Sequence, residues 1–316
     1  MRSRASILVW VAAALIAAPD PLSAQGSHPA LSGHTFIPTT LVPDPFVKTQ
    51  LGTLIGLGKA FDYAIEVVIE NDTLVSQEGR MTWVLAEFDY RQRVTDWLLL
   101  FGKFDGGARV GTNAVSALAQ GVSVLTGFNV GGLARIVQSN SIALSGTLEL
   151  RSNGVTLLNI LKFVQDVADS IATGGELDSI GISSKSSALY GSGGLRFAWA
   201  PSRLVGITAL AEFGVGEDLL PDEDVAYSFD VGAVVDFNLA SVGPVPLGFA
   251  LGYRFLAFSD ASLLAEGVSH KGIAAVSYTG HEDFSVGVEL RGERTPLLTE
   301  EVVNATILGL RIRYYF

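Results

Sequence analysis

The chain has 316 residues, of which 32 are acidic and 21 are Lys or Arg, and its net charge of -11 argues against a nucleic-acid partner. It contains no cysteine, which excludes a disulfide framework and a Cys-ligated metal. Its mean hydropathy of +0.39 is high for a chain with 17% charged residues. After the N-terminus no stretch reaches the roughly 20 apolar residues of a membrane-spanning helix, so the apolar residues are spread out rather than gathered in blocks.

The first 45 residues are predicted to lie outside the folded domain, which spans 46–316. Two arginines precede an apolar run over 7–18, and a small-residue cleavage site lies before Gln25. This pattern predicts a secretory signal peptide over 1–24, because the run is too short for a membrane anchor. Residues 25–45 contain four prolines, which disfavour helix and ladder alike. They are predicted to form an extended periplasmic lead-in.

Alternation begins at residues 46–58, which are predicted to form the first strand, while 61–77 fits either a short helix or a hairpin. The clearest strand is 82–94, in which apolar side chains on one face oppose four charged ones, Glu87, Asp89, Arg91 and Arg93. A cationic side chain facing lipid at the bilayer midplane costs about 2–4 kcal/mol. These charges are therefore predicted to face a polar interior.

Residues 155–172 show a different period. Leu157, Leu161 and Val164 recur at helical spacing, with charged residues on the opposite face. We predict one amphipathic helix here, inside a long loop. Its apolar face needs burial, either as a constriction within the interior or against the rim of the sheet.

Alternating segments resume at residue 188 and continue to the C-terminus, which gives about twelve strands in all. Short turns are predicted near 95, 139, 202, 242 and 281. Long loops are predicted at 59–81, 109–120, 153–185, 215–223, 259–268 and 295–301. Counted back from the C-terminus, all the short turns fall on one side, as in antiparallel barrels with an even number of strands.

The last strand carries a more specific signal. Leu308, Leu310, Ile312, Tyr314 and Phe316 alternate with small or cationic residues, and the chain ends on an aromatic. This tail resembles the terminal strand of Gram-negative outer-membrane β-barrels. The resemblance implies an all-β, antiparallel transmembrane β-barrel in the outer membrane, surrounded by lipid bilayer and lipopolysaccharide. It also implies that Ile312, Tyr314 and Phe316 form an assembly signal read by the barrel assembly machinery.

The inward face then holds the candidate functional residues. Its predicted cations are Lys48, Arg91, Arg93, Arg135, Arg151, Arg196, Arg254, Arg291, Arg311 and Arg313. Its predicted anions are Glu87, Asp89, Glu149, Glu212, Asp230, Asp236, Glu289 and Glu293. Opposed rows of charge in a water-filled lumen filter small polar or anionic solutes, whereas the same residues paired with one another fill a narrow barrel. For the lumen and its constriction we select Arg91, Arg93, Glu87, Asp89, Arg254, Glu289, Arg291, Arg311 and Arg313.

The resulting hypothesis is a porin-like channel for passive passage of small polar or anionic solutes, constricted by the 155–172 helix. A structural or adhesive barrel without a conducting lumen is the main alternative. A lipid-modifying enzyme is a weaker alternative. A chain that resembles the outer-membrane phospholipases would have a His followed by a Ser two positions later, and no histidine of this chain has a Ser at that spacing. We expect no cofactor and no metal: the acidic stretch over 216–224 lacks EF-hand spacing and is predicted to be solvated.

Overall fold

The computed structural model describes residues 28–69, 72–111, 122–158, 183–216, 225–241, 243–258, 267–296 and 302–316. Two short strands, β1 (Ala30–Leu31) and β2 (His34–Thr35), pair with each other ahead of the main sheet. The main sheet consists of β3 (Gln50–Ile69), β4 (Asp72–Arg93), β5 (Leu98–Gly111), β6 (Val122–Gln138), β7 (Ile142–Leu158), β8 (Ser183–Trp199), β9 (Val205–Gly216), β10 (Ala226–Asn238), β11 (Leu247–Phe258), β12 (Gly267–Tyr278), β13 (Phe284–Pro296) and β14 (Val302–Tyr315).

Strands β3 to β14 close into one barrel in which each strand is antiparallel to its neighbours in sequence. The seam joins β14 to β3, with Ile312 opposite Thr53. Beyond this ladder, the Phe316 N–H donates to the Thr49 carbonyl at 3.1 Å. The predicted antiparallel barrel of about twelve strands is therefore confirmed.

The five predicted short turns connect β4 to β5, β6 to β7, β8 to β9, β10 to β11 and β12 to β13. Because the strands are antiparallel and sequential, all five turns lie at one end of the barrel, which we call the short-turn end. The opposite end, where the remaining connections lie, is the long-loop end. The parity of the turns is as predicted, but the alternation of loop lengths is incomplete. Only residues 70–71 separate β3 from β4 at the long-loop end, whereas residues 239–246 separate β10 from β11 at the short-turn end.

The two faces of the barrel wall follow the sequence pattern. On β14, Leu308 is 56% exposed and Leu310 is 48% exposed on the outside, whereas Arg311 is 2% exposed on the inside. A register shift between Arg135 and Val137 marks a bulge in β6 next to a short turn. The outside is thus apolar, as a barrel in lipid requires, and the inside carries both charged and apolar side chains.

The hairpin of β3 and β4 is longer than predicted. Residues 59–81 were assigned to a long loop, but the ladder continues to Ile69 opposite Asp72, with two register shifts on the way. Of the two alternatives for 61–77, the structure shows the hairpin. Ile65, Val67 and Val68 are β-branched and favour a strand when a partner strand is available.

The predicted helix over 155–172 does not begin where its period indicated. Residues 155–158 continue β7, with Val155 opposite Ser186 of β8, because four residues also fit a period of two when a ladder partner is present. The remainder of the predicted helix, 159–172, lies outside the described residues. In the described part of the chain, no helix is long and apolar enough to cross a membrane.

The predicted periplasmic lead-in differs from the expectation in its location. Its described residues form the β1–β2 hairpin and then a stretch without helix or strand, and they pack inside the barrel, where Phe36, Ile37 and Leu41 are each at most 4% exposed. Such apolar side chains would face water outside the barrel, whereas the inner wall buries them. We call residues 28–49 the N-terminal segment.

Candidate functional site

The N-terminal segment is fastened to the short-turn end by hydrogen bonds to the turns. The His28 N–H donates to the Glu282 carbonyl at 2.9 Å, and the Ser32 N–H donates to the Asn140 carbonyl at 2.6 Å. These acceptors belong to turns on two different sides of the barrel. The segment therefore enters through this end and crosses the lumen there.

His34 anchors the segment to the wall. Its Nε2 lies 2.6 Å from Asp236 Oδ1 and its Nδ1 lies 3.0 Å from the Arg203 carbonyl oxygen. Asp236 Oδ1 also accepts the Ile37 N–H at 3.3 Å. Both ring nitrogens lie within hydrogen-bond distance of an oxygen atom, so the ring is held from both sides. Gly206 makes room for the ring, since a Cβ there would lie 2.3 Å from Nε2.

Apolar side chains of the segment occupy three clusters on the inner wall. The largest combines Ile37, Leu41 and Val42 with Leu210, Val234, Ala250, Ile273 and Ala275. The second combines Leu31, Phe36 and Phe46 with Ala143, Ala198 and Ala200. The third combines Val47 with Leu99, Phe101 and Leu133. The inner wall is complementary in shape to the segment, since a Cβ on Gly248 would lie 2.1 Å from Ile37 Cδ1.

Polar contacts hold residues 40–44 of the segment against the barrel wall. Thr40 donates its hydroxyl to Glu289 Oε2 at 2.5 Å, and Arg254 donates to the Leu41 carbonyl at 2.7 Å. Asp44 forms ion pairs with Arg91 and Arg313 of the barrel wall. The segment is thus held by a few directed contacts and by apolar burial, and it adds no strand to the barrel ladder.

A cavity of about 120 Å³ lies above the segment, on its long-loop side. Thr39, Thr40 and Pro43 of the segment form part of its lining. A water occupies about 10–15 Å³ of cavity on the same kind of scale. The cavity is therefore large enough for several waters or for one small solute.

The structure brings most of the predicted lumen residues to this cavity. Those in its lining are Glu87, Asp89, Arg91, Arg254, Arg311 and Arg313. Two others are paired next to it: Glu289 lies 3.2 Å from Arg311, and Arg291 lies 3.3 Å from Glu87. Arg93 is apart from this group, because it lies at the short-turn rim, half exposed, 2.9 Å from Asp96.

A second group of charges lies across the cavity. Arg196 is bonded to Glu149 and, at 3.2 Å, to Glu212. Its guanidinium also lies 5.4 Å from the centre of the Phe101 ring. Arg254 donates its Nε to Asp230 at 2.7 Å. Buried charges are tolerated because each is paired with opposite charge, so these pairs fix the shape of the wall.

Sequence reasoning missed Lys103 and Thr40 in the cavity lining and Asp44 next to it. Lys103 lies 2.9 Å from Glu87, but the alternation around it is too irregular to assign its face. Thr40 and Asp44 come from the segment that was placed outside the barrel. The available signal was the row of apolar side chains at inward positions, such as Leu210 and Val234, which a polar lumen does not need.

The predicted assembly residues Ile312, Tyr314 and Phe316 all point outward on or next to β14. Tyr314 packs against Phe284 with ring centroids 5.1 Å apart, and against Phe316 at 6.2 Å. Aromatic side chains at a barrel rim are typical of the membrane interface. Their role in assembly stays a prediction.

No protein-family model and no curated protein matches the sequence. Among solved structures, the chain is similar to the COG4313 outer membrane channel from Pseudomonas putida F1, with a TM-score of 0.52, 12% identity, and coverage of 89% of this chain and 100% of that one. The translocator domain of the autotransporter NalP from Neisseria meningitidis gives a TM-score of 0.50 at 7% identity, covering 86% and 90%. The KdgM porin in complex with disordered oligogalacturonate gives 0.42 at 11%, covering 84% and 99%. Together with the closed ladder of twelve strands, the first two similarities show that the chain has the fold of bacterial outer-membrane β-barrels.

Proposed function

We propose that the protein is an outer-membrane channel for passive passage of small polar or anionic solutes, and that the N-terminal segment closes its short-turn half. The observation that carries the proposal is a charged cavity inside a closed barrel whose floor is a non-covalently held segment. Similarity to a solved outer membrane channel supports the same class.

The segment is suited to be a movable closure because the barrel does not depend on it. The seam between β14 and β3 completes the ladder without any residue of the segment. Leaving the lumen would cost the segment its apolar contacts, several hydrogen bonds and the contacts of His34 with Asp236 and of Asp44 with Arg91 and Arg313, but no strand pairing of the wall. We assign the constriction to this segment rather than to 155–172, whose first four residues form strand.

A barrel without a conducting lumen is the second candidate, and a specific observation favours it. The three apolar clusters join the segment to the inner wall through buried side chains in the short-turn half. If the segment never leaves, the lumen stays closed. Our proposal includes no catalytic step.

Locking the segment distinguishes the two candidates. The chain has no cysteine, and a Cβ on Gly248 would lie 2.8 Å from Ile37 Cγ1, within the reach of a disulfide. The double variant Ile37→Cys, Gly248→Cys is purified as the folded barrel and recorded in planar bilayers, oxidised and then reduced. Heat-modifiable gel mobility confirms folding, and mass spectrometry confirms the disulfide.

We expect the oxidised form to stay closed and the reduced form to show discrete, salt-dependent conductance steps. Each single Cys variant is the control and should conduct in both states. Equal conductance of the double variant with its disulfide formed and broken would show that the segment does not control passage. Absence of conductance in every form, wild type included, would favour the non-conducting barrel.

A further inference from the structure

Asp44 of the N-terminal segment lies between two buried arginines of the wall. Its Oδ2 is 3.3 Å from Arg91 and 3.3 Å from Arg313. The fourth member is Asp89, whose Oδ2 lies 3.1 Å from Arg91 Nε and 3.8 Å from Arg313. Both arginine side chains are 6% exposed, so the four form a buried, electrically neutral cluster. Burial opposes ionisation of Asp44, but the two arginines outweigh it and hold the pKa of Asp44 below its usual value.

The charge around the cavity makes Asp44 distinctive. The cavity lining contains seven Arg or Lys side chains and four carboxylates. Three carboxylates just outside the lining pair with its arginines, namely Asp44, Asp230 and Glu289. Two of these belong to barrel strands and stay in place. Asp44 is the one that belongs to the segment.

Withdrawal of the segment would therefore leave Arg91 and Arg313 with Asp89 as their shared carboxylate. The cluster would then have one excess positive charge, and unpaired buried charge is costly. The Arg313 Nε already has no hydrogen-bond acceptor among the described residues. Arginines bind carboxylates with particular strength because the guanidinium presents several N–H donors in a plane. The exposed cluster is a site for one carboxylate group.

We propose that Arg91 and Arg313 form a binding site for the carboxylate of a small monoanionic solute, and that Asp44 occupies this site as a tethered substitute when the segment is in the lumen. A solute carboxylate that takes the two arginines displaces Asp44 and favours release of the segment. This inference rests on the proposed function, in which the segment is the movable closure, and it adds the class of solute and the means of opening.

The position of the segment can be measured without recording current. Val42 is 3% exposed in the apolar cluster, and Val42→Cys keeps its size and introduces the chain's one thiol. The folded variant in detergent is treated with a polar maleimide, and the labelling rate reports how often the segment leaves the lumen. Acetate is the probe, and chloride at equal ionic strength is the control for screening of ion pairs.

We expect saturating acetate to raise the labelling rate about tenfold, within the range of ordinary coupling between a ligand and a conformational change. Adding Arg313→Gln should abolish the acetate dependence, whereas adding Arg93→Gln at the rim should keep it. Adding Asp44→Asn should give fast labelling without acetate, because the substitute carboxylate is gone.

Equal labelling rates in acetate and chloride would overturn the inference, as would an acetate effect that survives Arg313→Gln. The disulfide experiment above is independent of acetate. If the oxidised lock closes the channel and acetate has no effect on labelling, the segment is the closure but Asp44 does not stand in for a solute. If the lock has no effect on conductance, the proposed function itself fails.

Discussion

Truncation of Ile37 is the most direct measure of how firmly the N-terminal segment is held. Ile37 is 4% exposed and packs against Leu210, Val234 and Ile273 of the wall. Its backbone N–H, which donates to Asp236, is unaffected by Ile37→Ala. The substitution therefore removes apolar contact and leaves the polar anchor in place.

The expected cost follows from the burial. Truncating a buried Ile to Ala costs about 2–5 kcal/mol in a well-packed core. This cost falls on the closed state, because the released segment does not bury the side chain. Since 1.4 kcal/mol corresponds to a factor of ten, the ratio of open to closed states should rise by about thirtyfold or more.

The assay is single-channel recording of the folded barrel, with open probability as the readout. The matched control is Ile55→Ala, the same truncation at a side chain that is 63% exposed on the outer face. The control should leave open probability unchanged. An unchanged open probability for Ile37→Ala, in a barrel that is folded by gel mobility, would refute the assignment of the segment as the closure.

Three further predictions concern pH, stability and assembly. Burial lowers the pKa of His28, so protonation of His28 favours the undocked segment. The contribution of His28 to docking is therefore present above pH 6.5 and is lost as the pH falls below it. On acidification, the open probability of the wild type should rise more than that of His28→Asn, and His34 is present in both proteins. Arg196→Leu removes the arginine that two buried carboxylates share and should destabilise the barrel by about 3–5 kcal/mol. Arg93→Leu breaks a largely exposed pair and should cost less than about 1 kcal/mol. Urea unfolding followed by tryptophan fluorescence compares the two variants, and equal midpoints would contradict the difference. Phe316→Ala should lower the heat-modifiable fraction recovered from cells while leaving the stability of the purified barrel unchanged, and normal recovery from cells would contradict a role in assembly.

The sequence was sufficient for the barrel because period two is a property of each strand alone. Leu308, Leu310 and Ile312 alternate with Arg311 and its neighbours wherever the strand lies, and lipid on one side makes the alternation strict. The turn positions followed from the same pattern. Where a segment fits two periods, as 155–158 does, the partner strand decides, and that information is not local.

The content of the lumen was not predictable in the same way. A Pro-rich extended stretch has no period, so nothing in 28–49 indicates what it packs against. The inward positions of Leu99, Leu133 and Leu210 were the complementary signal. They become meaningful only when many strands are considered as one surface, because a buried apolar wall must have something to cover it. The same reasoning explains why Arg91 was placed correctly in the interior while its partner Asp44 was not.

The unequal strand lengths give the entrance a direction. Strands β3 and β4 have 20 and 22 residues, whereas β9, β11 and β12 have 12 each. At about 3.3 Å per residue, β4 is roughly 30 Å longer than the shortest strands. The short turns keep the ends of neighbouring strands close together at the short-turn end. The extra length of β3 and β4 therefore extends beyond the other strands at the long-loop end, on one side of the barrel. Among the described strands, the wall at the mouth is therefore highest at β3 and β4 and lowest at β9, β11 and β12.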